Sequence, residues 1–383
     1  MNKFSSSLFK LCIGIAVLGG LGIAAYLQRP LFGQLPQGER LTRIEHSPNY
    51  ADGAFHNQID TPMKTTDQSE VSMWMETFFG EQGNPRPPAA IPTVKTDLKA
   101  LDRTQDIVVW LGHSSFFIQL DGQRILIDPV FSTNAAPVPG AVRAFDGTSL
   151  YSAQDMPQID ALLISHDHYD HLDYPTIVAL RPKVRHVIVG LGVGAHFEAW
   201  GYDQGNVREA DWNEVVALTP QVQIHITPAR HFSGRTLTRD QSLWAGYALV
   251  TPKHRFFFSG DSGYGPHFSE IGQRLGPFDW VALDMGQYDA RWANVHMNPE
   301  QAAQAAEDLG AKVLIPAHTG RFSLSPHDWN DPFKRITAAS QGRTYALWTP
   351  EIGQPAYLDG RTQTFTPWWE GLVRSDVALE PRK

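Results

Sequence analysis

The sequence predicts an α/β fold: two β-sheets packed face to face with helices on their outer sides, an αβ/βα four-layer sandwich. Two observations carry this expectation. From residue 106 onward, short apolar runs such as 107–111 and 115–120 are separated by turn residues, the pattern of buried strands. Strands come first and helical segments then fall between the later strands, which sets helices outside paired sheets. A chain of 383 residues, 42% of them hydrophobic, has ample material for one large core.

The first element is an apolar run over residues 11–27, with Lys3 and Lys10 before it and Arg29 after it. About 20 apolar residues span a bilayer, so residues 1–30 read as a membrane anchor or a signal segment. Gly22-Ile23-Ala24 is a poor cleavage site, which favours the anchor. The basic start places the N-terminus in the cytoplasm and the catalytic domain outside it, periplasmic when anchored and secreted when cleaved. Residues 31–105 read as an irregular wrap, rich in Pro, Gly, Asn and Asp. Within it, residues 71–79 carry Met73, Trp74, Met75, Phe78 and Phe79, expected as a helix packed on the core, with a lipid-dipping surface as the alternative.

Residues 106–383 form the main domain. Strands are expected at 107–111, 115–120, 124–127, 160–165, 184–189, 222–227, 245–251, 255–259, 280–283 and 312–316. Asp121-Gly122 marks a hairpin turn between the second and third. One helix is well signalled. Asn298 caps it, Pro299 suits its first position, Gln301 completes a capping box and Gly310 closes it.

Composition removes several function classes. The net charge of -8 opposes nucleic-acid binding, which needs a basic face, and opposes attachment to anionic lipid by charge alone. The single cysteine, Cys12, lies in the N-terminal apolar run. The folded part therefore has no disulfide and no thiolate nucleophile or ligand. Metal, if held, must be held by carboxylates and by some of the 15 histidines.

The chemistry centres on His166-Asp167-His168-Tyr169-Asp170-His171, directly after the apolar strand at 160–165. His166 and His168 are two apart, so in extended chain they point the same way and can share one metal. Asp170 and His171 fall where the chain turns and can face a second. Imidazole and carboxylate suit zinc with an open position for reactive water. Three more ligand types sit just past hydrophobic strands: His231, Asp261 and His318. Each alone reads as a cap or turn residue. Together they complete a two-zinc set, with His166, His168 and His231 on one ion, Asp170, His171 and His318 on the other, and Asp261 bridging.

The chain resembles the metallo-β-lactamase superfamily, and within it the N-acylphosphatidylethanolamine-hydrolysing phospholipase D group and its bacterial relatives. The resemblance runs over about residues 106–340. It is carried by Trp110-Leu111-Gly112-His113, Ile127-Asp128-Pro129, the His/Asp motif, Phe256-Phe257-Phe258-Ser259-Gly260-Asp261-Ser262-Gly263-Tyr264, Gly276-Pro277-Phe278-Asp279, Tyr288 with Arg291-Trp292, and His296 with Pro299-Glu300. It implies a metallo-β-lactamase fold. It also implies roles that spacing does not show: Asp128 as a catalytic acidic residue near the metals, His296 as a catalytic residue contacting the substrate phosphate, and Tyr169 as a residue lining the substrate site. Two positions depart from the group's pattern: Asp167 replaces an amide-type residue sometimes found there, and Gln287 stands where smaller residues occur.

The function these readings imply is a zinc-dependent phosphodiesterase of the phospholipase D type. A hydroxide bridging two zinc ions would attack the phosphorus of an N-acylphosphatidylethanolamine-like lipid. The partners expected are that phospholipid or another small-molecule diester, and a membrane through the N-terminal segment; a homodimer is compatible with the sequence. Two rivals remain open: a hydrolase of lactones or other esters on the same site, and a membrane-anchored envelope protein without activity.

Overall fold

The computed structural model describes residues 3–69, 72 and 83–372. Helix α1 (Lys3–Leu27) is followed by α2 (Glu39–Glu45) and a small hairpin of β1 (Tyr50–Ala51) and β2 (Ala54–Phe55). The apolar run of residues 11–27 lies in α1, where Ile13, Val17, Leu18, Leu21 and Ile23 are exposed. Among the described residues no helix is long and apolar enough to cross a membrane. The helix expected at residues 71–79 lies outside the described residues.

Two seven-stranded sheets make the body. The first holds β3 (Ile107–Gly112), β4 (Ser115–Leu120), β5 (Gln123–Ile127), β6 (Ile159–Ile164), β7 (Val184–Gly190) and β8 (Val207–Ala210) in chain order. The second holds β9 (Val215–Ala217), β10 (Gln223–Thr227), β11 (Gly246–Val250), β12 (Arg255–Phe258), β13 (Trp280–Asp284), β14 (Val313–Ala317) and β15 (Ala346–Leu347). β16 (Pro355–Tyr357) returns to pair antiparallel with β3. Each sheet is antiparallel on one side and parallel on the other: β16, β3, β4 and β5, then β6 to β8; β9 to β12, then β13 to β15. The two halves share a pairing plan although no residue-level repeat betrays it.

The layers follow from strand alternation. Val108, Trp110, Phe116, Ile118, Leu163, Ile224, Tyr247, Phe256 and Phe258 fill the core between the sheets. Val109, Phe117, Leu126, Leu162 and Val187 face outward. There they meet α3 (Tyr174–Leu180) and α4 (Gly194–Ala199) through Ile177, Leu180 and Phe197. On the far side, Phe257, Val281, Leu283 and Leu314 pack on α5 (His267–Leu275), α6 (Pro299–Asp308) and α7 (Asp331–Ala339). Strands covered on both faces read as unbroken apolar runs, as Phe256-Phe257-Phe258 does. This is the αβ/βα four-layer sandwich that the sequence predicts.

Local signals explain several boundaries. Asp121 and Gly122 both take positive φ, 46° and 73°, the geometry of a two-residue hairpin turn. In α6 the Asn298 side chain accepts from Gln301 N and the Gln301 side chain reaches back to Asn298 N, a full capping box. Gly310 follows it at φ 62°.

Candidate metal centre

One end of the sandwich collects the chemistry. His113 follows β3, Asp128 follows β5, His166 to His171 follow β6, His231 follows β10, Asp261 follows β12, Asp284 ends β13 and His318 follows β14. His113, Asp128 and His318 hold positive φ of 56°, 41° and 58°, costly for residues with a Cβ and kept by the surrounding structure.

All seven expected ligands meet there. His166, His168 and His231 form one group, with His166 Nε2 2.7 Å and His231 Nε2 3.3 Å from His168 Nδ1. Asp170, His171 and His318 form the second, and His113 joins them. Asp261 lies between. Its Oδ2 is 3.1 Å from His171 Nε2, 3.7 Å from His231 Nε2 and 3.8 Å from His166 Nε2, and its Oδ1 is 3.1 Å from His318 Nδ1. Residues 123–319, more than half of the chain, match the family model of the beta-lactamase superfamily domain. The chain belongs to the metallo-β-lactamase superfamily.

Relatives agree with that placement. An uncharacterized protein of Mycobacterium tuberculosis is 40% identical over 331 residues, 85% of this chain and 88% of its own. The N-acyl-phosphatidylethanolamine-hydrolyzing phospholipase D 1 of Caenorhabditis elegans is 32% identical over 237 residues, 57% of this chain and 65% of that protein. Among solved structures, Igni18, a metallo hydrolase from Ignicoccus hospitalis, aligns with a TM-score of 0.53 at 21% identity, covering 66% of this chain and 97% of its own. At that identity it speaks for the fold. The chain is a metal-dependent hydrolase of the superfamily.

The donor set fits a metal. His171 Nε2 and His318 Nε2 are buried without a hydrogen-bond partner, a costly condition that a cation at the centre would remove. Burial pushes His166, His231 and His318 well below the ordinary histidine value and His168 to about 4, and neighbouring rings add to it. These are neutral donors, the form that binds metal. Burial also raises the Asp261 carboxyl to about 7. Burial works against charge at His171 and Asp170 as well, but their mutual attraction, with Asp261 on His171 and His113 on Asp170, outweighs it. His171 is raised and Asp170 lowered.

Supporting residues fix these ligands. Asp128 is fully buried. It accepts from Ser165 N at 2.7 Å and Ser165 Oγ at 2.5 Å, and lies 2.8 Å from His171 Nδ1. Its contact with the centre therefore runs through His171, whose ring it orients. Asn57, from the N-terminal wrap, accepts from His231 N and donates to His231 O. Ser114 Oγ is 3.1 Å from His318 Nδ1.

The two remaining expected residues part company. His296 stacks on His318, with ring centroids 5.1 Å apart and planes 7° from parallel, and meets His231 edge-on at 5.0 Å. It also lines a cavity of about 560 Å³ with Tyr288, Asn298, His327 and Arg335. Tyr169 turns elsewhere. Its hydroxyl donates to the Arg235 carbonyl, and its ring lines a different cavity of about 410 Å³ with Arg29, Leu31 and Asp173. None of the seven ligands lines either cavity; the first is joined to the cluster through His296, which touches His231 and His318.

Sequence reasoning missed His113 and Asp284. His113 is fully buried, 2.9 Å through Nε2 from Asp170 Oδ2. Asp284, also fully buried, is 2.8 Å through Oδ2 from His296 Nδ1. His113 follows a buried strand and Asp284 ends one, the rule that located His231 and His318, and applying it to every strand would have found them.

Buried histidines also set an acid limit on the fold. His267, on α5, lies 3.1 Å through Nε2 from Ser262 Oγ, and burial together with Arg230 lowers it to about 4. The unfolded chain binds its proton near pH 6.5 and the folded chain does not. Stability from this ring is thus complete above pH 6.5 and is lost as pH falls toward 4, by roughly 3 kcal/mol. Urea unfolding of His267→Gln is expected to show a shallower loss of stability across that window than the parent. Parallel curves would remove His267 from the acid response.

Proposed function

We propose that this chain is a zinc-dependent phosphodiesterase of the phospholipase D type, holding two zinc ions and acting on N-acylphosphatidylethanolamine-like lipids. The observation that carries this reading is His296. It stands at the junction of the ligand cluster and the cavity lined by Tyr288 and Arg335, where a phosphodiester could meet both. The likeness to the Caenorhabditis elegans phospholipase supports the lipid class. The exposed apolar side chains of α1 support a place at a membrane, with the hydrolase domain outside the cytoplasm.

His166, His168 and His231 would hold one ion, Asp170, His171 and His318 the other, and Asp261 both. When bound, the ions supply Lewis acidity at the phosphoryl group and an activated nucleophile at neutral pH. The rest is done by side chains of this chain. Asp128 keeps His171 aimed. Asp284 holds His296 through Nδ1, and His296 gives a proton to the departing oxygen. Water adds to phosphorus, the bond to the N-acylethanolamine oxygen breaks, and phosphatidic acid and N-acylethanolamine are released.

The test is product analysis with zinc-loaded protein on N-acylphosphatidylethanolamine in mixed micelles, beside an acyl-homoserine lactone. Mass spectrometry is expected to show equal amounts of phosphatidic acid and N-acylethanolamine. Turnover of the lactone alone would replace this reading with an esterase.

A further inference from the structure

The segment that leaves α1 is bound, residue by residue, to Tyr169 of the metal-motif loop and to Trp200, Arg235 and His196 around it. Trp200 Nε1 donates to Pro30 O at 2.7 Å. Arg235 donates to Leu31 O from Nη2 at 2.6 Å and from Nε at 3.3 Å. The Phe32 ring meets Tyr169 edge-on at 6.3 Å. Gly33, at φ 69°, packs so closely on His196 that a Cβ would lie 2.0 Å from Nδ1. Gln34 N donates to that same Nδ1 at 3.1 Å, so the His196 proton sits on Nε2, facing Asp167 Oδ2 at 3.3 Å.

Arg235 is the centre of this lacing. Only 5% of it is exposed, and its guanidinium lies over the rings of Tyr169 at 4.2 Å and Trp200 at 5.5 Å. One nitrogen, Nη1, donates to Asp167 O and to Leu172 O, both at 2.7 Å. Those two carbonyls bracket His168, Tyr169, Asp170 and His171. The same guanidinium thus closes both ends of the ligand loop and grips the segment after α1. The Asp167 carboxylate ties the loop again, accepting from Gly234 N at 2.7 Å and Ser242 Oγ at 3.0 Å. A lysine could not reproduce this, because it lacks the planar fork of donors.

We propose that residues 30–34 are a strap that, through the positioning residue Arg235, fixes the backbone of the metal-binding loop, so that metal affinity depends on a segment outside the sheets. This rests on the metal-centre reading and not on the lipid substrate. The strap lies beyond Gly22-Ile23-Ala24, so cleavage there would leave it in place.

The experiment uses the full chain with Gly33→Ala, which pushes the strap off His196 without touching the sheets, Arg235→Lys, the double variant, and Leu35→Ser as a control on an exposed side chain. Zinc dissociation constants are measured by chelator competition, and the geometry of the centre by the absorption spectrum of the cobalt-substituted protein. Gly33→Ala and Arg235→Lys are each expected to weaken zinc by about tenfold or more, the usual cost of losing support behind a ligand, and to shift the cobalt bands. The double variant is expected to be no worse than the worse single, since both act along one path, from the strap through Arg235 to the loop. Metal-free melting temperatures separate loosening of the loop from unfolding. If Arg235→Lys does not fold, Gly33→Ala decides alone. Zinc affinity and cobalt spectrum unchanged in Gly33→Ala, or additive losses in the double, would overturn the strap. A parent chain that binds no zinc would overturn it together with the metal centre.

Discussion

Asp261→Asn is expected to slow hydrolysis by about a thousandfold or more, which corresponds to about 4 kcal/mol of lost transition-state stabilisation. The same change is expected to remove most of the thermal stabilisation that zinc confers. Among the described residues, Asp261 is the one carboxylate that reaches both ligand groups, with contacts of 3.1 to 3.8 Å to His166, His171, His231 and His318. It is also 3% exposed, so water cannot replace its charge. Asparagine keeps the shape and removes the anion, which isolates charge from packing. Since a ligand stabilises the fold in proportion to the logarithm of its concentration over its dissociation constant, the rise in melting temperature on adding zinc reports affinity directly. A variant that keeps that rise, with turnover within threefold of the parent, would show that Asp261 is no shared ligand.

The fold was legible where burial acts on both faces of a strand. β3 to β7 and β10 to β14 lie within a residue or two of their expected bounds, because each is a run of apolar residues between turns. β8, β9, β15 and β16 were not found. They stand at the sheet edges, are short, and are only partly buried, so no period stands out. Helices α3, α4, α5 and α7 escaped for another reason. Among the described residues only α6 carries a capping box; α3, α4, α5 and α7 start without a side-chain cap, leaving their boundaries without a local signature. The pairing plan shared by the two sheets is a property of hydrogen-bond order and has no counterpart in residue identity.

The site was legible as chemistry and less so as contact. His166, His168, Asp170 and His171 declare themselves by density, and His231, Asp261 and His318 by their place after strands. Tyr169 shows what a motif cannot tell. Its neighbours in sequence face the cluster, but its ring lies under the Arg235 guanidinium, with Phe32 at its edge. That arrangement needs residues 66 and 137 positions distant, and hydropathy gives no hint of either contact. Asn57 is the same case: an ordinary loop residue until the wrap brings it against His231.

His296→Gln is expected to lower kcat by roughly 10²–10⁴-fold on the lipid, the range of general acid–base help, and Asp284→Asn by a smaller factor that depends on pH. Burial lowers the basicity of His296, but the Asp284 carboxylate at 2.8 Å outweighs it and holds the ring above its ordinary value. A protonated His296 acting as the acid makes activity fall as pH rises through its pKa. Removing the charge at Asp284 lowers that pKa, so the alkaline limb of kcat should move to lower pH in Asp284→Asn, while KM changes little. The double variant should match His296→Gln, because Asp284 acts only through the ring. The leaving group separates two roles for His296. A p-nitrophenyl diester expels an oxygen that needs no proton, so an acid role predicts a small loss on it beside a large loss on the lipid. Equal losses on both would make His296 a phosphate-binding group instead, and an unmoved pH profile in Asp284→Asn would make Asp284 a packing residue.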